Sequence, residues 1–407
     1  MKRISYLGGS GVGGTNRVFE TLRDGLASHG YIVELMNHDL AGCSTHQTGG
    51  VADSIFAEKK DAKTLVAALT DADAVIVNAF MSPRLMNVAR YLPAELPRIL
   101  IVHSVTFATY QAARALRGYV HHTVAVSPRI RSDLIKRYGF RPDRITTIFH
   151  GVPDSFFEIP LERKPDGVAR VLSLGRIEHA SKGILDLPKI FDASFIDRAR
   201  LTIAGDGPDR AALLERLRGA GIPIDYLGVV SRAQLMEVYS EEEIFLFPSR
   251  FEGMGIALAE AMAAGLAPVA ARISGVTSAI LESSDSDPVK NGIGELSPGG
   301  GHGMLFGQGD LAAANAALAR LINDPSLRRE MRHRARARAE QLFRMNRMMA
   351  GYSAILDSVI AQPDLIRPLR LEEWSIPRRM RPGLRAFLPP LVRRAIGNML
   401  IHRGGRA

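Results

Sequence analysis

Pro248-Ser249-Arg250-Phe251-Glu252-Gly253-Met254-Gly255-Ile256-Ala257-Leu258-Ala259-Glu260 follows the apolar run Ile244–Phe247. It leads through Ala261-Met262-Ala263-Ala264-Gly265 into Leu266-Ala267-Pro268-Val269. An apolar run, a Gly-x-Gly turn, a helix-forming stretch and a second apolar run read as strand, turn, helix, strand. That order makes a βαβ unit in a parallel sheet. Gly253 and Gly255 let backbone amides approach a ligand where a Cβ would intrude. Free amides at the helix start, helped by the helix dipole, suit a phosphate. Glu252 lies in the turn, and Glu260 comes two turns along the helix on about the same face as its start. Ionised carboxylates only accept hydrogen bonds, so beside an anion they suit sugar hydroxyls rather than the phosphate. The bland alternative is a capped surface helix with incidental acids.

The same alternation extends in both directions. Downstream and upstream of this unit, strands are expected at Val171–Leu174, Leu201–Ala204, Ile224–Leu227, Ala267–Ala270 and Met304–Phe306. An earlier series runs through Ile4–Leu7, Val33–Met36, Ala74–Asn78, Arg98–His103, His122–Ser127 and Ile145–Phe149. Helical stretches intervene, such as Thr15–His29 and Arg129–Tyr138. Each series reads as a doubly wound α/β sheet, which binds ligands beyond the carboxyl ends of its strands. The polar stretch Glu158–Val168, with Pro160 and Pro165, reads as a linker. The expected organisation is a first domain over 1–160, a second over 168–342, and closing helices with a basic tail over 343–407. Those last helices are expected to cross back to the first domain.

Two further turns sit at the same sheet edge as the opening motif. In Leu174-Gly175-Arg176-Ile177-Glu178-His179-Ala180-Ser181-Lys182-Gly183, Arg176 offers a planar fork to phosphate oxygens and Lys182 a point charge. Together they could offset the charge on a departing diphosphate, the task a divalent ion performs elsewhere. Singly, each reads as a surface cation. Beside these turns no Asp-x-Asp or histidine cluster stands at metal-ligand spacing, so no metal is expected. Ala204-Gly205-Asp206-Gly207-Pro208 is a third glycine turn, and by itself only turn chemistry.

The chain has 407 residues, enough for two domains. Its lone cysteine, Cys43, excludes an internal disulfide and a cysteine zinc cluster and fits a reducing compartment. No signal-peptide core or membrane-spanning apolar run is present, which points to a cytoplasmic protein. The net charge is +10, and most of the excess lies after Pro363, where ten arginines face three acids. Within Leu384–Ile401, apolar residues alternate with arginines. That segment could bind the anionic inner face of a membrane peripherally, or pack on the first domain. Nucleic acid is not expected as a partner, because the arginines lack interleaved aromatics and no nucleic-acid motif is present.

Gly9-Ser10-Gly11-Val12-Gly13-Gly14, with Asp39 near the end of the second strand, fits a nicotinamide-dinucleotide fingerprint. An NAD-dependent oxidoreductase would leave Arg176, Lys182, Glu252 and Glu260 without a role.

The second half resembles the donor domain of the GT-B glycosyltransferases, specifically the retaining family 4, the glycosyl transferases group 1. Four pieces stand in the family's order across 168–310: Gly175-Arg176…Lys182-Gly183, Gly205-Asp206-Gly207-Pro208, Pro248-Ser249…Glu252…Glu260, and Gly265-Leu266-Ala267-Pro268-Val269. The first half is more weakly similar, through Gly13-Gly14-Thr15-Asn16-Arg17-Val18 and Ser127-Pro128 to His150-Gly151-Val152. The resemblance implies two Rossmann-like domains facing a cleft. It also implies retaining, metal-independent transfer from a nucleoside-diphosphate sugar to a glycan, lipid-linked or small-molecule acceptor. No cofactor is implied, since the nucleotide sugar is a substrate.

By the same resemblance, Arg176 and Lys182 would bind the diphosphate and Glu252 the donor sugar. The amides of Met254, Gly255 and Ile256 would meet sugar and phosphate, and Glu260 would hold the ribose. Gly13, Gly14, Gly175 and Gly207 would border the donor, and His103 would stand near the transferred sugar. Read alone, His103 is a strand-end histidine. Three departures stand out: His150 where Asn is usual, Met254 for a common Phe, and Gly275-Val276-Thr277-Ser278-Ala279 where the family carries an acid. A non-catalytic sugar-binding subunit is a further reading, against which the retained Arg176, Lys182, Glu252 and Glu260 argue.

Overall fold

Ala74–Asn78 and Arg98–Val102 are near-continuous apolar runs, and every residue of both is buried, as strands covered on two faces must be. The computed structural model describes residues 1–8, 14–36, 59–79, 83–162, 167–282, 301–361 and 366–380. Six strands make the first sheet: β1 (Lys2–Leu7), β2 (Tyr31–Met36), β3 (Ala74–Asn78), β4 (Arg98–Val102), β5 (His122–Ala125) and β6 (Ile145–Thr147). Six make the second: β7 (Ala169–Leu174), β8 (Ala199–Ala204), β9 (Ile224–Gly228), β10 (Ile244–Phe247), β11 (Ala267–Ala271) and β12 (Met304–Phe306). The strand orders are β2-β1-β3-β4-β5-β6 and β12-β11-β10-β7-β8-β9. All pairings are parallel.

The chain divides into two compact units. One comprises Met1–His150 and the described residues from Asn346 onward; the other is Gly151–Met345. The passage into the second unit therefore comes before residue 160, where the polar linker suggested it. The reason is local packing within that unit. Val152 N donates to Phe343 O (2.7 Å), and Arg336 donates to Phe157 O (2.8 Å) and Ile159 O (2.7 Å). These bonds fasten 152–159 to the helix Pro325–Phe343.

In the first unit, the helix Met345–Ala361 is tied to the sheet by Asp357, which accepts from Lys2 Nζ (3.2 Å) and from the Tyr31 hydroxyl (2.6 Å). Beyond it, Leu369 N donates to Arg90 O (2.8 Å) and Trp374 packs on Tyr91 at a centroid distance of 4.7 Å. Residues 366–380 thus lie on the first unit. The arginine-rich segment 384–401 falls outside the described residues. Among those described, no helix is long and apolar enough to cross a membrane.

Three strands are shorter than their apolar runs suggest, among them β6, which ends at Thr147 rather than Phe149. β4 stops at Val102 and leaves His103 in the turn. β5 stops at Ala125 because Ser127 caps the next helix, its side chain accepting from Ile130 N.

Candidate functional site

The second sheet has its topological switch at β7 and β10. From β7 the chain runs outward to β8 and β9, then returns to β10 on the other side of β7. The loops leaving adjacent strand ends at such a point form a natural ligand crevice. Here those loops are 175–183 and 248–255, and backbone bonds join them. Arg250 N and Phe251 N both donate to Ser181 O, at 2.8 and 3.1 Å. Gly183 ends the turn His179–Lys182 at φ +64°, and a Cβ on it would overlap the carbonyl oxygen of Pro248. The close approach of the two loops requires glycine there. A side-chain clamp adds to this: Arg250 Nη2 meets Asp186 Oδ2 at 2.7 Å.

This framework brings together two residues from separate motifs. Lys182 Nζ lies 2.5 Å from Glu252 Oε1, with the side chains 28% and 10% exposed. The ammonium carries three donors and the carboxylate two acceptor oxygens, so both keep capacity beyond their mutual bond.

Behind Glu252, Met254 is buried, and Gly255 adopts φ 86°, ψ 60° as the residue before the helix Ile256–Ala263. The first helical bond runs from Ala259 N to Gly255 O (3.1 Å), so the amides of Ile256, Ala257 and Leu258 precede the ladder. Of the three amides named from the resemblance, Ile256 is one of these, while Met254 and Gly255 precede the helix. Glu260 is buried on this helix, and the Tyr239 hydroxyl donates to its Oε2 at 3.5 Å.

Arg176 stands in the loop after β7 and is exposed; among the described residues it makes no ion pair. The Gly-Asp-Gly-Pro turn braces that loop. Gly175 N donates to Ala204 O (3.0 Å), Ile177 N to Asp206 O (2.9 Å) and His179 N to Asp209 Oδ2 (2.8 Å). Gly207 N turns inward on its neighbour, donating to Asp206 Oδ1 (2.7 Å). The 275–279 loop, which lacks the family's acid, caps itself with hydroxyls. Ile273 N donates to Thr277 Oγ1 (2.7 Å) and Gly275 N to Ser278 Oγ (2.9 Å). Gly14 opens the helix Gly14–Ala27, while Gly9, Gly11, Gly13 and Asp39 lie outside the described residues.

In the first unit, His103 follows β4 and faces His150, which follows β6. His103 Nδ1 and His150 Nε2 are 3.1 Å apart, with the rings nearly parallel at 11°. Burial holds His103 well below the ordinary histidine range, and its neighbour His150 adds to that effect. Burial alone pushes His150 down to about 4. The unfolded chain would protonate His150 below about 6.5, while the folded chain stays neutral there. The unfolded state therefore binds more protons in this window, and stability falls as pH drops from about 6.5 to about 4. His150 alone should cost about 3 kcal/mol across it. Calorimetric scans between pH 7 and 4.5 should show Tm falling more steeply in the wild type than in His150→Asn. Equal slopes would contradict the buried neutral pair.

The sequence singled out Lys182, Glu252 and Glu260 but assigned nothing to Arg250, Asp186 or Tyr239. Arg250 stood inside the quoted motif; Asp186 and Tyr239 gave no sequence signal, because their roles depend on contacts across 64 and 21 positions.

Two family models match the chain: Glycosyltransferase Family 4 over residues 12–156 and Glycosyl transferases group 1 over residues 155–338. Together they run from residue 12 to residue 338 without a gap, through every strand of both sheets except β1. This chain belongs to the family 4, group 1 glycosyl transferases. Among similar curated proteins is the sulfoquinovosyl transferase SQD2 of Arabidopsis thaliana, 26% identical over 268 residues, covering 64% of this chain and 49% of that protein. Another is a GDP-mannose-dependent α-(1-6)-phosphatidylinositol dimannoside mannosyltransferase of Mycobacterium tuberculosis, 38% identical over 108 residues, 26% of this chain and 27% of that protein. The chain thus spans half or less of the length of these relatives. In fold it is similar to Anabaena HepE, crystallised with UDP and glucose: TM-score 0.66 and 15% identity, covering 88% of this chain and 100% of that one. Both six-stranded parallel sheets of the family 4 chain are thereby accounted for as a GT-B fold.

Proposed function

We propose that this chain transfers a sugar from a nucleoside-diphosphate sugar to a glycan, lipid-linked or small-molecule acceptor, with retention of anomeric configuration. The pairing of Lys182 with Glu252 at the β7/β10 switch supports this reading most strongly. It sets a cation for phosphate beside a carboxylate for sugar hydroxyls, next to the Gly255 helix start. In the reaction the bond from the anomeric carbon to the diphosphate oxygen breaks, and its electron pair leaves with the diphosphate. Lys182 and Arg176, with the amides at the Gly255 helix start, stabilise that charge. Glu252 accepts from hydroxyls of the sugar as it becomes oxocarbenium-like. The acceptor oxygen bonds to the same face, and its proton passes to the departing phosphate oxygen. Glu260 holds the ribose hydroxyls, and His103 donates to the transferred sugar.

A thermal-shift panel of UDP, GDP, ADP, NAD and NADP tests this proposal. One nucleoside diphosphate should raise Tm by several degrees, following the mass-action relation, and nicotinamide cofactors should not. A response to NAD or NADP alone would overturn the reading in favour of a dehydrogenase. A response to nothing would favour a non-catalytic subunit.

A further inference from the structure

His150 has no part in the transfer step above, yet it is the group that His103 touches. β4, β5 and β6 are neighbours in that order, so the residues leaving β4 and β6 come out at one sheet edge. Val126 N donates to Val102 O (3.3 Å) and Ile148 N to Ala125 O (3.0 Å), which fixes these chain ends across the end of β5. The two histidines span that end through the 3.1 Å contact of His103 Nδ1 with His150 Nε2. Only one proton fits between two imidazole nitrogens, so one ring donates and the other accepts. The other nitrogen of His103, Nε2, is buried and has no hydrogen-bond partner among the described residues.

We propose that His150 is a positioning residue that donates its Nε2–H to Nδ1 of His103 and so fixes His103 as the Nε2–H tautomer. In that arrangement both rings carry the proton on Nε2, the tautomer that neutral imidazole favours in water. The free Nε2–H of His103 is then a neutral donor for a sugar oxygen. The reverse arrangement would leave His103 Nε2 a bare acceptor. Burial keeps both rings uncharged near neutral pH, so the tautomer, and not a charge, sets what His103 offers. The assignment rests on the reading of His103 as a sugar-facing group. The residue more usual at position 150 in the family, asparagine, is too short to place its amide where His150 Nε2 lies. The amide of glutamine reaches that place.

The test is long-range ¹H–¹⁵N spectroscopy of the full chain labelled in histidine nitrogen. The two rings are assigned by the signals lost in His103→Gln and His150→Gln. Wild-type His103 should be a single Nε2–H tautomer. His150→Leu should turn it into a mixture, and His150→Gln should restore one form. Turnover, read as nucleoside diphosphate released from UDP-glucose, UDP-N-acetylglucosamine or GDP-mannose, should fall on the order of 10-fold in His150→Leu, the effect of one hydrogen bond. KM should change less, and His150→Gln should recover most of the loss. A wild-type His103 protonated on Nδ1 overturns the proposal, as does a tautomer unchanged in His150→Leu. The wild-type spectrum decides even if a variant does not fold. Wild-type turnover in His103→Ala would instead sink the sugar-facing reading of His103, while leaving the ring-to-ring hydrogen bond intact.

Discussion

Lys182→Ala should lower turnover by on the order of 10²–10³. That corresponds to roughly 3–4 kcal/mol of lost transition-state stabilisation. The charge on a leaving diphosphate grows as the glycosidic bond breaks, so a cation beside it acts more strongly on the transition state than on the bound donor. The donor KM should therefore change less than kcat. Folding should lose roughly 1–3 kcal/mol as well, because the Glu252 carboxylate, 10% exposed, is left without the lysine's hydrogen bond. Arg176→Ala should show the same kinetic signature with a smaller effect on Tm, since the exposed Arg176 makes no ion pair among the described residues. Steady-state kinetics and thermal melts of both variants check this. Turnover near wild type in Lys182→Ala would remove the leaving-group role from the lysine.

Gly183→Ala should be among the most damaging small substitutions in the site. The residue holds a left-handed conformation at φ +64°, where a Cβ costs on the order of 1–2 kcal/mol. The same Cβ would overlap Pro248 O, so the 175–183 and 248–255 loops would have to separate. The expected destabilisation is roughly 3 kcal/mol. In a unit of this size that is a Tm loss of about 6–12 °C. Separation would also pull Lys182 from Glu252, so activity should fall by more than the unfolded fraction explains. Melts paired with kinetics well below Tm measure both effects. A Tm within about a degree of wild type would mean that the loops are not held as close as described.

The fold was largely legible because each buried strand is an apolar run bounded by turn residues. Ala74–Asn78, Ile244–Phe247 and Met304–Phe306 match their strands residue for residue. Where the limits shifted, a local hydrogen bond decided, as at Ser127, whose hydroxyl serves the following helix instead of extending β5. The unit boundary was less legible. Polar composition marked 158–168, but the fastening of 152–159 to Arg336 and Phe343 is a contact made across most of the second unit's length.

At the site, the sequence named Lys182 and Glu252 for separate tasks. Their direct pairing arises from a parallel sheet that sets β7 beside β10. Nothing in the local pattern around either residue encodes that adjacency. The glycine at 183 belonged to a recognised motif, but its physical reason, the carbonyl of Pro248, appears only in three dimensions. The partnership of His103 with His150 was hidden likewise, by a separation of 47 positions.

The most direct measurement is a crystal structure of the chain with the nucleoside diphosphate that raises Tm most. The diphosphate should lie within hydrogen-bonding distance of Lys182 Nζ and of the amides at the Gly255–Ile256 helix start, with the ribose hydroxyls on Glu260. A nucleotide bound instead on the Gly9–Gly14 loop, or with its phosphates away from Lys182, would contradict the account.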